Sequence, residues 1–543
     1  MIPPEFFTFP HQEEEEARRW LASEVRAHWA ILDAESAAEG LENALALRPL
    51  LHRPAALAWQ GLGPGGARLH QRLLERHPQW RITRFLDDPA VGNAPDALAR
   101  LPHEAPDGVI LTHDAPRWRD KLLDAGLPTE KIFAPFQDPA VEQAAHARRQ
   151  AEAERFAQSL DAAAGSPLLL FVVAQRGNAP TVEFLVETLR AAHPEWRLAA
   201  LYLINEPPPG LYHHALFCHG SLQVMSRVLH RVPPCRIYVQ GHFRWLFLSQ
   251  MVKALRPDLP VIHEVYDWFS AFLEHPEEAL AEGLWPRGAV QALMASERFI
   301  LDHLQGVIVK DGSPHLDRLL GSARAPSARL LPSPPRRMML PPRESPAPKK
   351  SRLVYAGRVN PSTVSPAFFG DSIILPLMAQ LVEQGFPVTL FNSPMFPAPH
   401  IRLLYDDYHQ LARENPLFRF AQGMPFEPLL SVMREGFDFG LMLFNFQPGL
   451  RVGRAHLQGT MASKLFTYLA AGLPVLASVE NSAMARLVEQ HGLGAALTMD
   501  DIPRLDALLG HHDPDALRQN VRRAQQSLCF EENCREAIRL LIG

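Results

Sequence analysis

Short apolar runs recur along this chain, separated by stretches whose apolar residues fall at helical spacing. In the first third, AALAWQ (55–60), RITRFLDD (81–88), DGVILTH (107–113) and KIFAP (131–135) have strand length. Helix-patterned ARLHQRLLERH (67–77) and RDKLLDAG (119–126) lie between them. A second series follows: LLLFVVA (168–174), RLAALYLI (197–204), RIYVQ (236–240), PVIHEVYD (260–267) and GVIVKDG (306–312). A third comprises RLVYAGRVN (352–360), PVTLFN (387–392), FRFAQG (418–423), FDFGLMLF (437–444) and PVLAS (474–478). Strands that alternate with helices predict parallel sheets with helices on both faces, an α/β chain.

The punctuation between these series divides the chain. Residues 1–48 are predicted to hold an N-terminal helix, acidic at its start and apolar at Trp20, Leu21, Val25, Trp29 and Leu32. It fits either a contact between subunits or a helix packed on the next domain. Residues 49–138 form a small Rossmann-like module, and the Ala-, Glu- and Arg-rich stretch 139–163 reads as a linking helix. A larger α/β domain over 164–335 ends in the Pro-rich segment PSPPRRMMLPPRESPAPKK, whose end, 336–350, is predicted to be a hinge-like linker, since proline favours extended chain. A last α/β domain with a C-terminal helix occupies 351–543.

Composition narrows the classes. At 543 residues the chain is too long for one core. A net charge of −5 gives no electrostatic case for nucleic acid. The four cysteines, Cys218, Cys235, Cys529 and Cys534, form no C-x-x-C pair and are too few for a disulfide scaffold, which fits a cytoplasmic protein. No apolar run has the ~18 residues of a membrane span, so any membrane contact is expected to be peripheral.

Candidate chemistry concentrates in the last domain. Gly357 and Arg358 follow a strand directly, where α/β sheets place ligands; Gly admits close backbone approach and Arg grips phosphate oxygens in pairs. Ser463, a good N-cap residue type, and Lys464 open a helix predicted over 464–471. A lysine in a first helical turn is disfavoured by the helix dipole, and an anion at that place removes the conflict. Lys464 is also the sole lysine after residue 350. In the first module GLGPGG places Gly61, Gly63 and Gly66 in a G-x-G-x-x-G pattern, with Asp87 at the end of the next strand, a possible dinucleotide site in which Pro64 removes one donor. His213, His214, Cys218 and His219 crowd together without a zinc spacing and are expected in a loop or helix. No metal site is predicted.

The segment KLFTYLAAGLPVLAS (464–478) resembles the C-terminal signature of GT-B glycosyltransferases, most like family four, where it reads roughly Lys-Leu-Phe-Glu-Tyr-Leu-Ala-Ala-Gly-x-Pro-Val. YAGRVN (355–360) resembles that family's strand-Gly-Arg element, and the likeness extends over roughly 165–530. It implies a GT-B pair of Rossmann-like domains, preceded here by the small module and the helix. It also implies transfer of a sugar from a nucleotide-diphosphate sugar to a glycan, lipid-linked glycan or protein, with no cofactor and no metal. Gly357, Arg358, Ser463 and Lys464 would then hold the donor phosphates. Two departures stand out: the family's acids fall on Thr467 and Gly459, leaving Thr467 and Glu480 as stand-ins. On the acceptor side, the loop with Gly177 and Asn178 would face the cleft, and His263, Glu264 and His242 are the catalytic candidates; Glu297 is expected to be solvated or ion-paired. Two other readings stay open: a non-catalytic GT-B-like scaffold or nucleotide-sugar sensor, motivated by the missing acids, and an NAD-dependent oxidoreductase using the first module.

Overall fold

The computed structural model describes residues 15–29, 55–60, 73, 76–85, 106–111, 115–133, 139–161, 165–175, 180–241, 245–273, 275–281, 285–310, 312–344, 350–362, 370–392, 405–446 and 449–543. The strand-length runs become three separate sheets, and every strand pair in them is parallel.

The first sheet contains β1 (Ala55–Gln60), β2 (Trp80–Phe85), β3 (Gly108–Leu111) and β4 (Ile132–Phe133), in the order β2-β1-β3-β4. The second contains β5 (Leu168–Val173), β6 (Arg197–Tyr202), β7 (His214–Phe217), β8 (Arg236–Gly241), β9 (Val261–Val265), β10 (Gly306–Val309) and β11 (Ser327–Arg329), in the order β11-β10-β9-β8-β5-β6-β7. The third contains β12 (Leu353–Gly357), β13 (Val388–Asn392), β14 (Phe418–Gln422), β15 (Phe439–Met442), β16 (Val475–Ser478) and β17 (Gly494–Leu497), in the order β14-β13-β12-β15-β16-β17.

Each order reverses once: between β1 and β3, between β5 and β8, and between β12 and β15. A doubly wound sheet opens a crevice at such a reversal, at the carboxyl ends of its strands, because the flanking connections run to opposite faces. The chain is therefore a pair of Rossmann-like domains preceded by a smaller module of the same kind and an N-terminal helix.

The central strands are buried on both faces, as their unbroken apolar runs require. Every residue of β5, β9, β10 and β16 is buried. Three strands escape the sequence pattern, β7, β11 and β17. In β7, His214 and Phe217 are half-buried and Ala215 is exposed, so an edge strand with polar character reads as loop. The clustered histidines belong to this strand and its approaches. The Nδ1 of His213 accepts the Leu198 N–H at 3.0 Å. Among the described residues no group of three or more His, Cys, Asp or Glu is disposed to hold a metal ion. The four cysteines are unpaired and buried.

The helix Glu15–Trp29 lies on the helix Arg287–His303 of the same chain. Ala17 and Leu21 are buried there, and a Cβ on Gly288 would fall 2.3 Å from the Glu16 carbonyl. That part of its apolar face is covered by its own chain rather than offered to a second subunit.

The Pro-rich segment is a docked strap over its described part. The Leu331 N–H donates to Asn533 Oδ1 at 3.1 Å, and the Phe530 N–H to the Pro334 carbonyl at 3.0 Å. Further on, the Arg336 N–H meets the Glu531 carboxylate at 2.9 Å and the Leu340 N–H the Ala470 carbonyl at 2.7 Å. Proline limits the strap's own pairing to the turn Arg336–Met338, and other N–H groups are satisfied by the C-terminal tail and by the helix end at Ala470. The tail crosses back: the helix Arg535–Ile542 packs on β8, β10 and β11, with Leu540 against Gly306. One apolar cluster thus runs from Phe171 and Leu185 through Leu330 to Leu465, Tyr468 and Leu541, joining the two large domains. Among the described residues no helix is long and apolar enough to cross a membrane.

Candidate functional site

The reversal between β12 and β15 gathers three strand ends and one helix start. Gly357 closes β12 at a φ of +155°, a value that favours glycine. A Cβ there would sit 2.6 Å from Lys464 Cδ. The bare α-carbon is what lets the lysine lie across the strand end. Its ammonium donates to the Tyr355 hydroxyl and sits 4.4 Å from the centre of the Tyr355 ring and 4.7 Å from that of Phe444. Burial pushes the Lys464 ammonium down to about 8, and Asp371 only partly opposes this.

The lysine's helix, Ser463–Ala470, is fixed to the sheet by Tyr468. That hydroxyl donates to the Leu441 carbonyl at 3.0 Å and accepts the Ala356 N–H at 2.9 Å, bridging β15 and β12. Its ring lies where a side chain on Gly440 would have to be, at 2.2 Å. Arg358, next along the chain, is exposed and takes part in no ion pair among the described residues. An exposed guanidinium, a half-buried ammonium with no carboxylate in contact among the described residues and a helix start therefore meet at one crevice. That set suits a polyanionic group.

The structure refines the other donor-side candidates. Ser463 is the first helical residue; the capping position belongs to Ala462, with no side-chain cap. Thr467 is buried, and its hydroxyl donates to the Ser463 carbonyl at 2.9 Å. Its proton is spent within its own helix, so it does not take over the role of a carboxylate. Gly459 is buried, and its carbonyl accepts the Gly312 N–H at 3.3 Å across the domain boundary. Glu480, just past β16, fits the stand-in role better. One of its carboxyl oxygens is buried without a hydrogen-bond partner, and burial raises its affinity for a proton.

The acceptor-side candidates fare differently. His263 is buried in the middle of β9. Its Nδ1 bonds the Ser249 hydroxyl and its Nε2 the Gly241 carbonyl at 3.0 Å. Burial pushes its ring down to about 4. With both nitrogens engaged and no charge near neutral pH, it is a structural histidine and not a cleft base. Glu264, its neighbour, is buried too and accepts the Tyr238 hydroxyl; burial raises its carboxyl, opposed by Tyr238 and Lys310. Both fail for one reason: a central strand of a covered sheet hides both of its faces. Glu297 is likewise buried, and it accepts the N–H groups of Phe269 and Ser270, capping the turn Phe269–Phe272. His242, Gly177 and Asn178 lie outside the described residues, although β5 and β8, which they follow, flank the reversal of their sheet. Gly61, Gly63, Gly66 and Asp87 of the first module lie outside them as well.

No family model matches the chain, and no curated protein matches its sequence. Solved structures do resemble it. The Anabaena protein Alr3699/HepE, solved with UDP and glucose, is 13% identical over 69% of this chain and 99% of its own, with a TM-score of 0.44. CalG4, the calicheamicin glycosyltransferase, is 15% identical over 68% and 96%, with a TM-score of 0.37. A point mutant of the Thermobaculum terrenum O-GlcNAc transferase is 15% identical over 98% of both chains, with a TM-score of 0.42. At such values the fold stands on the sheet topology above, and the activity is argued from the site.

Two groups were invisible in the sequence. Asp371, in the turn Gly370–Ser372, acts electrostatically on both Lys464 and Tyr355. The turn matches no motif, and only the strand ends bring it to the lysine. The second group spans the domains. Lys310, after β10, meets Asp267 Oδ1 at 3.1 Å and lies 3.1 Å from the Tyr266 ring centre, while His456 of the helix Arg454–Gly459 faces them from the other domain. Its one sequence signal is the placement of Asp267 and Lys310 after adjacent strands.

Proposed function

We propose that this protein is a GT-B glycosyltransferase, closest in its signature to family four, that moves a sugar from a nucleotide-diphosphate sugar to a glycan, lipid-linked glycan or protein. The observation that carries this reading is the pairing of Gly357 with Lys464: a strand end stripped of its side chain so that an under-neutralised lysine lies at the crevice of a doubly wound sheet. Lys464, Arg358 and the first-turn N–H groups of the helix Ser463–Ala470 stabilise the diphosphate as negative charge develops on the leaving group, so the reaction needs no metal. Glu480 accepts donor hydroxyl protons through its unpartnered oxygen, replacing the acids absent at Thr467 and Gly459. With His263 and Glu264 engaged in the core, His242 becomes the acceptor-side base, and the loop with Gly177 and Asn178 lines the acceptor's approach. The strap carries domain closure only with its tail moving alongside. The chain works in the cytoplasm.

The test is turnover. Each of a panel of nucleotide-diphosphate sugars is incubated with the full chain, and release of the nucleoside diphosphate is followed with and without simple glycan acceptors. Release by the wild type that falls sharply in Lys464→Ala supports the reading. Binding of UDP or GDP without release from any donor favours the non-catalytic sensor, the reading that the occupied Thr467 hydroxyl and the buried Gly459 support. Absence of both binding and release sinks both.

A further inference from the structure

The helix Arg454–Gly459 belongs to the last domain by sequence and to the second sheet's domain by packing. Leu450, Val452, Ala455 and Leu457 sit in the apolar cluster built on that second sheet. The Gly453 N–H donates to the Phe272 carbonyl at 2.9 Å, and the His456 ring stands edge-on to Phe272 with ring centres 5.4 Å apart. The last carbonyls of a helix have no partner within it. Here three of them are met from outside: Leu457 by Asn481 Nδ2 at 2.9 Å, Gln458 by the Ser482 hydroxyl at 3.3 Å, and Gly459 by the Gly312 N–H at 3.3 Å. The first two donors come from the start of the helix Ser482–Gln490 and the third from the chain after β10. One helix end is therefore shared between the two large domains.

Asn481 stands at the N-cap of the helix Ser482–Gln490, where an asparagine ordinarily turns its side-chain oxygen to an N–H of the first turn. It makes no such bond. Its Nδ2 is drawn to Leu457, which fixes the orientation of the amide, and its Oδ1 is buried without a hydrogen-bond partner in a residue only 1% exposed. The side chain thus has two alternative partners. It holds Leu457 through its nitrogen, or it caps its own helix through its oxygen, and the first arrangement, seen here, leaves the first turn uncapped.

That first turn adjoins the donor site. Ser478 accepts the Phe444 N–H at 3.0 Å, and the Phe444 ring centre lies 4.7 Å from the Lys464 ammonium. Two residues after Ser478, Glu480 carries a buried carboxyl oxygen without a partner. A carboxylate there disfavours a second anion. A neutral hydroxyl suits the place, since it gives its proton to Glu480 while its oxygen accepts a first-turn N–H. We propose that Asn481 is a two-position positioning residue. A donor sugar whose hydroxyl oxygen takes the first-turn N–H groups removes the capping alternative, keeps Asn481 on Leu457, and so keeps the helix Arg454–Gly459 seated in the second sheet's domain. The identity of this ligand rests on the glycosyltransferase reading above.

The test is hydrogen exchange followed by mass spectrometry on the full chain. UDP-glucose is the sugar donor and UDP the sugar-free probe, with GDP-mannose and GDP in parallel. At saturation a bound nucleotide sugar should slow exchange over residues 449–459 about fivefold, the free energy of one helix cap, and its nucleoside diphosphate less than about twofold. Asn481→Ala removes both positions, so the nucleotide sugar should still bind within about twofold of wild type and the slowing should vanish. Asn481→Asp keeps the cap and loses the donor to Leu457. Exchange over 449–459 should then rise about fivefold, exchange over 482–484 should fall, and nucleotide-sugar affinity should drop about fivefold with UDP affinity unchanged. No slowing in the wild type with the sugar donor bound, slowing that survives in Asn481→Ala, or slowing produced in full by UDP alone overturns the proposal. If no nucleotide or nucleotide sugar binds the wild type, the glycosyltransferase reading fails on its own. The switch is then decided by the ligand-free Asn481→Asp protein: opposite changes over 449–459 and 482–484 support it, and unchanged exchange at both overturns it.

Discussion

Two lysines sit at a strand end and a helix start in the two large domains, Lys310 buried and Lys464 half-buried, and their partners differ. Lys310 has a carboxylate at contact distance, Asp267 at 3.1 Å, and the face of Tyr266 beneath it. Although burial works against the ammonium, Asp267 and Tyr266 together lift it above the ordinary lysine range. Lys464 is half-buried and is given a hydroxyl and two rings at contact distance, and burial outweighs the attraction of Asp371: it falls to about 8. The chain satisfies the first lysine and leaves the second short. A satisfied buried charge holds domains together; an unsatisfied one that the fold nevertheless retains is a place for an outside anion.

Removing each lysine should break the comparison along different axes. Lys464→Ala is expected to cut donor kcat/KM by roughly 100- to 1,000-fold while the chain melts at the wild-type temperature or above, since a poorly compensated charge is lost. Equal turnover in steady-state assays would return Lys464 to the class of packing residues. Acid should expose the histidine that the structure removed from the cleft. His263 titrates at about 4 when folded and near 6.5 when unfolded, so the native state binds fewer protons between those values. Stability present above pH 6.5 is lost as pH falls towards 4, by roughly 3 kcal/mol at most, and His263→Asn should flatten that part of a denaturant-midpoint profile while leaving turnover within about twofold. Lys310→Ala should do the reverse of Lys464→Ala. It removes the ion pair that Asp267 makes at 3.1 Å, costing about 1–3 kcal/mol in chemical denaturation. The smallest effect sharpens the contrast. A diphosphate stabilises charged Lys464, so UDP binding takes up protons near and above pH 8, and affinity should fall about fivefold from pH 8 to pH 9. Calorimetry in buffers of different ionisation enthalpy measures the uptake; zero uptake at pH 8.5 would remove Lys464 from the diphosphate's contacts.

Much of the donor side was legible beforehand. A first-turn lysine conflicts with the helix dipole, and a Gly-Arg pair directly after an apolar strand marks a crevice; both signals are local, and both led to β12 and the helix Ser463–Ala470. Ser463 was misread by one position, because a good capping residue type does not fix where the helix begins; Ala462 caps instead. His263 and Glu264 were misread for a different reason. A polar pair ending an apolar run looks like a strand end reaching into a cleft. Here β9 continues through Val265, with one residue on each buried face, and the bonds to Ser249, Gly241 and Tyr238 come from β8 and the helix Leu248–Leu255, 14 to 26 residues away in the chain. The docking of the Pro-rich strap was not legible, because proline content reports extended conformation and says nothing of what the extended chain lies against.

By itself the sequence determined most of the strands and helices, that the sheets are parallel, and that one lysine opens a helix against its dipole. These follow from apolar period, capping chemistry and the helix dipole, all of which act within a few residues. Only the tertiary structure decided how each charge is compensated. It set Asp267 against Lys310, gave Lys464 a neutral hydroxyl as its hydrogen-bond partner, and closed both nitrogens of His263. Electrostatic compensation depends on distance through space, and the partners involved lie on strands that meet only when the sheets form.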